Sequence, residues 1–80
     1  MQIPVIKKIA DQYSIEELKK AEESLMEETS LEIDVDGEDE GEQLTHILAA
    51  IWVKEEMEKE GINVGKAVRN YTVKVRNSIS

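Results

Sequence analysis

A run of seven apolar residues in the middle of the chain constrains the fold more than any other feature. Residues 47–53 read Ile-Leu-Ala-Ala-Ile-Trp-Val, without a polar side chain. The run lies in a helical segment that ends at Gly61, a residue suited to the left-handed conformation after a last helical turn. A helix that is apolar around its whole circumference must be covered on more than one side. We therefore predict that this segment is the central helix of the fold.

Two shorter helices are predicted before it. Pro4 suits the first turn of a first helix over residues 4–12, whose apolar residues fall on one side. Ser14 and Glu17 match the capping-box pattern, which predicts a second, amphipathic helix that reaches about Thr29. Each of these helices has a single apolar stripe, so each can cover only one side of a neighbour.

An extended segment and a fourth helix complete the predicted architecture. Leu31, Ile33 and Val35 alternate with acidic residues, which indicates extended chain with one side against the helices. Asn63 can cap a fourth helix. The apolar stripe of that helix consists of Val64, Ala67, Val68, Tyr71, Val75 and Ile79. The sequence therefore predicts one all-α domain over residues 1–80, a small four-helix domain with a short extended segment between helices 2 and 3.

Charge is distributed unevenly along the chain, whose net charge is −8. Residues 14–60 hold 17 acids against four lysines, a net −13, whereas residues 61–80 hold four basic residues and no acid. The acidic body argues against nucleic acid and anionic membranes as partners. The basic end offers a contact for an acidic partner, including another copy of the chain. This predicted partner-facing basic face consists of Lys66, Arg69, Lys74 and Arg76.

Other sequence features bear on the compartment. The chain has no cysteine, so it has no disulfide and no thiolate metal site. Lys7 and Lys8 interrupt the only segment that resembles the apolar part of a secretory signal. No stretch approaches the roughly 18 apolar residues of a membrane-spanning helix. We therefore expect a cytoplasmic protein.

His46 is the only histidine, and Glu42 lies one helical turn before it. Carboxylate-bridged dimetal bundles use Glu and His three residues apart on two helices, whereas here the spacing is four and a second histidine is missing. The acidic segment also fails as a calcium loop, because Gln43 stands where the closing carboxylate belongs. We predict no catalytic, cofactor-binding or metal-binding residue. A small metal-binding protein or enzyme that uses His46 and the loop carboxylates stays open as an alternative.

The acidic run from Glu32 to Glu42 permits another interpretation, in which it mimics nucleic acid or masks a basic partner. Its competing role is to start the third helix, where carboxylates interact favourably with the helix dipole. A DNA-binding helix-turn-helix formed by the last two helices is disfavoured, because Glu58 and Glu60 stand where apolar residues should lock the pair.

The third helix has two apolar faces, and this observation predicts self-association. We assign the first face to the core: Leu44, Ile47, Leu48, Ile51 and Trp52. We assign the second face to a seam between two copies: His46, Ala49, Ala50, Val53 and Met57. Its small residues allow a helix of another copy to approach, and a two-fold dimer is the usual geometry. The rival explanation is that the segment from Leu31 to Val35 covers this face within one chain. We thus predict a non-enzymatic protein–protein interaction module that forms a homodimer, with a further protein partner unknown.

Two segments carry a resemblance to other proteins. IPVIKKIADQYSIEELKKAEES at the start and DVDGEDEGEQLTHILAAIWVKEEMEKEG in the middle resemble a group of short bacterial proteins that form a domain family of unknown function. The likeness spans nearly the whole chain. It implies a small bacterial cytoplasmic protein, and it transfers no activity, ligand or catalytic residue.

Overall fold

The computed structural model describes residues 2–79, with side chains up to Ser78. The four helices are α1 (Ile3–Gln12), α2 (Ile15–Met26), α3 (Glu40–Glu60) and α4 (Val64–Ile79), and this part of the chain has no strand. α3 contacts all three other helices, and α1 also contacts α4. The predicted all-α fold and the central position of α3 are confirmed. None of the helices in the described part is long and apolar enough to cross a membrane.

Local capping explains where the helices begin and end. Both bonds of the predicted capping box are present at α2, because Ser14 Oγ accepts from the N–H of Glu17 and Glu17 Oε1 accepts from the N–H of Ser14. The Asp39 carboxylate accepts from the N–H of Glu42 at 2.8 Å and caps α3. Gly61 ends α3 with φ of +64°. At these positions local side-chain and backbone chemistry accounts for where the helix begins or ends.

The end of α2 differs from the prediction. The helix stops at Met26 rather than near Thr29, because Glu28 adopts the left-handed conformation with φ of +59°. The N–H of Thr29 then bonds the carbonyl of Ser24 at 2.8 Å, a bond that closes the last helical turn. Glutamate is not a usual signal for this conformation, so the earlier stop is not visible in the sequence.

The core is one cluster to which every helix contributes. Its members are Ile6, Ile9, Ala10, Leu18, Ala21, Val35, Ile47, Ala49, Ala50, Ile51, Val53, Ala67 and Val68. The side chain of Ile79, which belongs to the predicted stripe of the fourth helix, lies outside the described part. Lys54 of α3 donates to the carbonyl of Ala10 at 2.8 Å, so a cation from the central helix satisfies the carboxyl end of α1.

The segment between α2 and α3 is extended and lies against the helices, as predicted. Val35 is buried, while Leu31 and Ile33 are half-buried against the core. Gln43 fixes the segment to α3, because its side-chain amide donates to the carbonyl of Val35 at 2.9 Å. Gly37 passes so close to Gln43 that a Cβ on it would lie 2.8 Å from Gln43 Cγ. The glycine therefore permits the segment to fold over the start of α3.

Candidate interaction surface

The side chains predicted as the seam between two copies lie inside one chain. His46, Ala49, Ala50 and Val53 are fully buried, and Met57 is half-buried. This location of the seam is wrong. The face is covered within one chain, because α1 packs against α3, and Gln2 and Asp36 bond His46. The rival explanation placed the segment from Leu31 to Val35 here, whereas the bond to the ring comes from Asp36, one residue beyond that segment. The small side chains of Ala49 and Ala50 admit helices of the same chain rather than those of a second copy.

His46 joins three parts of the chain through both of its ring nitrogens. The backbone N–H of Gln2 donates to Nε2 at 2.9 Å, so Nε2 is the acceptor and Nδ1 carries the proton. Nδ1 lies 2.8 Å from the carbonyl oxygen of Asp36, to which it donates. Glu42 does not bond the ring, since its carboxylate instead accepts from the N–H of Glu38. A fully buried ring with both nitrogens bonded holds the start of α1 and the extended segment against α3.

The loop carboxylates also have local roles. Glu32 pairs with Lys20 at 2.9 Å, and Asp36 pairs with Lys8 at 3.4 Å. The hydrogen bond that Lys20 donates to Glu32, and next the negative charge of that carboxylate, raise the pKa of Lys20. Glu32, Asp36 and Asp39 thus have three separate partners, and they do not converge on one point. Among residues 2–79, no group of three or more His, Cys, Asp or Glu side chains is placed to hold a metal ion.

The α3 face that we assigned to the core is open along its middle. Leu48 is 47% exposed, and Leu44 and Trp52 are only half-buried, whereas Ile47 and Ile51 at its border are buried. The prediction that Trp52 is buried therefore holds only in part. α2 and α4 each contact α3 but do not contact each other, so they leave a strip of α3 uncovered between them.

Exposed apolar side chains from the two flanking helices border this strip. Met26 of α2 is 70% exposed and Val73 of α4 is 46% exposed. A shallow groove on the α2 side brings Met26 together with Ile51 and Glu55, and another on the α4 side brings Val73 together with Trp52. We call this surface the open face, and it comprises Met26, Leu44, Leu48, Ile51, Trp52, Glu55, Val73 and Lys74.

Trp52 is held at the α4 edge of the open face by two neighbours. Its ring centroid lies 5.5 Å from that of Tyr71, with the planes inclined by 55°. The ammonium of Lys74 lies 6.0 Å from the Trp52 centroid, at the limit of a cation–π contact. Burial raises the pKa of the Tyr71 hydroxyl. Tryptophan is one of the residue types enriched among the side chains that dominate the binding energy of protein interfaces.

One comparison with known proteins identifies the family. Its model matches residues 1–80. The chain belongs to the family of unknown function DUF6952. No curated protein and no solved structure matches the chain. Membership agrees with the resemblance noted in the sequence and adds no ligand, activity or site residue to the open face.

The predicted basic face is exposed at each of its four positions, Lys66, Arg69, Lys74 and Arg76. Within the described residues none of the four forms an ion pair. Helical spacing separates them into two groups, because Lys74 lies near Trp52 while the other three lie on the outer side of α4, where Val73 stands at the margin of the open face. Only Lys74 therefore borders the open face directly, and the partner of the other three stays a prediction.

One pattern in the sequence indicates which of the two α3 faces is open. Glu55 and Lys59 follow Leu48 by seven and eleven residues, so the three side chains share one side of the helix. All three are exposed. By contrast, the buried face has no charged residue between His46 and Met57 on its own side. Charge in register with Leu48, rather than apolar content, distinguishes the two faces.

Proposed function

We propose that this chain is a non-enzymatic protein–protein interaction module that self-associates through the open face. The observation that carries the proposal is the exposure of Leu48 at the centre of a surface to which α2, α3 and α4 each bring a large apolar side chain. Singly scattered apolar residues are ordinary on protein surfaces, whereas grouped ones mark contact sites. Met, Trp and Tyr are also the residue types enriched in interfaces.

The size of the chain supports association with a second copy. A domain of 80 residues buries little more than about 60% of the surface that its unfolded chain exposes. Covering Leu48, Met26 and Val73 in a partner removes further apolar surface from water, which is the main favourable term in association. A two-fold homodimer is the commonest arrangement for such a self-complementary contact.

The absence of catalysis and the cellular setting are parts of the same proposal. His46 has both ring nitrogens bonded to the backbone, which supports a structural role. Lysines pair with Glu32 and Asp36, and Asp39 caps α3, so part of the acidic run has local roles, which disfavours the nucleic-acid mimic. A bacterial cytoplasmic setting rests on the family resemblance, and the net charge of −8 supports a protein partner rather than nucleic acid or membrane.

The test is the mass in solution, measured by light scattering after size-exclusion chromatography at micromolar concentration. We expect about twice the 9.1 kDa of one chain for the wild type and 9.1 kDa for Leu48→Glu. Gln12→Glu is the matched control, since it adds the same charge at an exposed position on α1, on the other side of α3. A wild-type mass of 9.1 kDa, or a Leu48→Glu variant that stays dimeric, would contradict the proposal.

A further inference from the structure

The two edges of the open face differ in charge. On the α2 edge, Glu22, Glu23 and Glu27 line the groove beside Ile51, with Lys19 as the one base, and Glu55 of α3 lines the same groove. On the α4 edge, the groove beside Trp52 is lined by one base, Lys74, and one acid, Glu56 of α3, so this edge has no excess of acid. Because α2 and α4 do not contact each other, these charges are not neutralised across the strip within one chain.

Symmetry limits how two such faces can meet. When two identical faces stack, the two-fold axis lies in the plane between them. If that axis runs along α3, then α2 of each copy lies over α4 of the other. If it runs across α3, then α2 lies over α2 and α4 over α4. The first arrangement sets the acidic α2 edge of each copy over the edge that holds Lys74, and the second sets the two acidic edges over each other.

We infer that the occupant of the open face is a second copy of the chain, placed with its α2 over α4 and with the two α3 helices side by side in the same direction. This inference rests on the proposed function, and it adds the orientation of the partner. This orientation sets Lys74 opposite the acids of α2 and keeps the two acidic edges apart, and complementary charge of this kind orients the partners in an interface.

The spacing of the apolar residues along the strip fits the same arrangement. Leu44, Leu48 and Ile51 are separated by four and three residues, the spacing of a stripe that packs along a second helix, and the parallel arrangement is compatible with it. Leu48 then packs against Leu48 of the second copy, close to the axis. Met26 and Val73 both border the middle of α3, so Met26 of one copy lies opposite Val73 of the other.

Cross-linking of engineered cysteines tests the orientation, because the chain has none of its own. Met26→Cys and Val73→Cys are made in separate chains, mixed and treated with a short bis-maleimide, and mass spectrometry identifies the products. Both positions are exposed, so the fold is expected to tolerate the changes. We expect the mixed product to exceed either self-linked product several-fold.

Equal yields, or self-linked products in excess, would overturn the orientation. The parent protein and each cysteine variant are weighed by light scattering before the reagent is added. A parent mass of one chain would show that the proposed function itself has failed. A dimeric mass with self-linked products would show that the chain self-associates and that only the orientation is wrong.

Discussion

On α3, the face that carries His46, Ala49 and Val53 is packed inside the chain, whereas the face that carries Leu48 and Trp52 is partly open. Both faces are apolar, so hydrophobicity alone does not decide which is covered. The covered face has small side chains that allow close packing, and its one polar group has two backbone partners. The open face has larger side chains in register with charged residues. Side-chain size and the position of charged residues, rather than apolar content, therefore separate the covered face of α3 from its open face.

Introducing a carboxylate on each face gives the largest contrast. Val53 has no exposed surface, so Val53→Glu buries an unpaired charge, which is expected to cost several kcal/mol. A small domain is stable by only about 5–15 kcal/mol. We expect Val53→Glu to be largely unfolded by circular dichroism, while Leu48→Glu keeps its helical signal and loses association. If the Val53→Glu variant is folded and monomeric, the contact between two copies lies on the face that carries His46, and the assignment to the open face is wrong.

Removal of the His46 ring is expected to have the next largest effect. His46→Ala leaves the N–H of Gln2 and the carbonyl of Asp36 without their partner, and it also opens a cavity. We expect a loss of about 2–4 kcal/mol in urea denaturation. Thr45→Ala, at the exposed neighbouring position, serves as the control and should change stability by less than about 0.5 kcal/mol. A loss below about 1 kcal/mol for His46→Ala would contradict the role of the ring.

The positions of the helices could be predicted from the sequence more fully than the way in which the helices pack. Ser14, Asp39 and Gly61 act on adjacent backbone groups, so the helix boundaries at these positions follow from local chemistry. The partners of His46 are 44 residues before it and 10 residues before it in the chain, and no local pattern indicates them.

The sequence also provided little indication of which face of α3 is buried and which is open. It depends on where the short helix α1 packs, which is a tertiary property. The charges of Glu55 and Lys59 in register with Leu48 were the one local sign.

The extended segment that closes one end of the buried face can be perturbed at Gly37. A Cβ at this position would lie 2.8 Å from Gln43 Cγ and 2.9 Å from Gln43 N, so the segment must shift. We expect Gly37→Ala to lower the free energy of unfolding by about 1–3 kcal/mol. Gly65→Ala is the control, because its Cβ meets only Asn63 Oδ1 at 3.5 Å and alanine favours the helix. Thermal melts that rank Gly37→Ala at or above the wild type would refute this account of the segment.

Removal of the Glu55 charge tests the orientation of the two copies, and we expect it to have a small effect. With two α3 helices side by side in the same direction, Glu55 lies near its own copy, and like charges there oppose association. We expect Glu55→Gln to tighten the dimer by a few fold in analytical ultracentrifugation, since exposed charge pairs contribute about 0.2–1 kcal/mol. Asp11→Asn makes the same change of charge on α1 and should have a smaller effect. Weaker association of Glu55→Gln would argue for α3 helices in opposite directions.

Trp52 reports whether a second copy covers the open face, because it is the only tryptophan in the chain. Its ring is half-buried in the single chain. Iodide quenching and the emission maximum are measured while the protein is diluted through its dissociation range. We predict that quenching falls and emission shifts to the blue as concentration rises, and that Leu48→Glu shows neither change. Trp52 fluorescence that is independent of concentration, in a wild-type protein that light scattering shows to be a dimer, would place the contact elsewhere on the molecule.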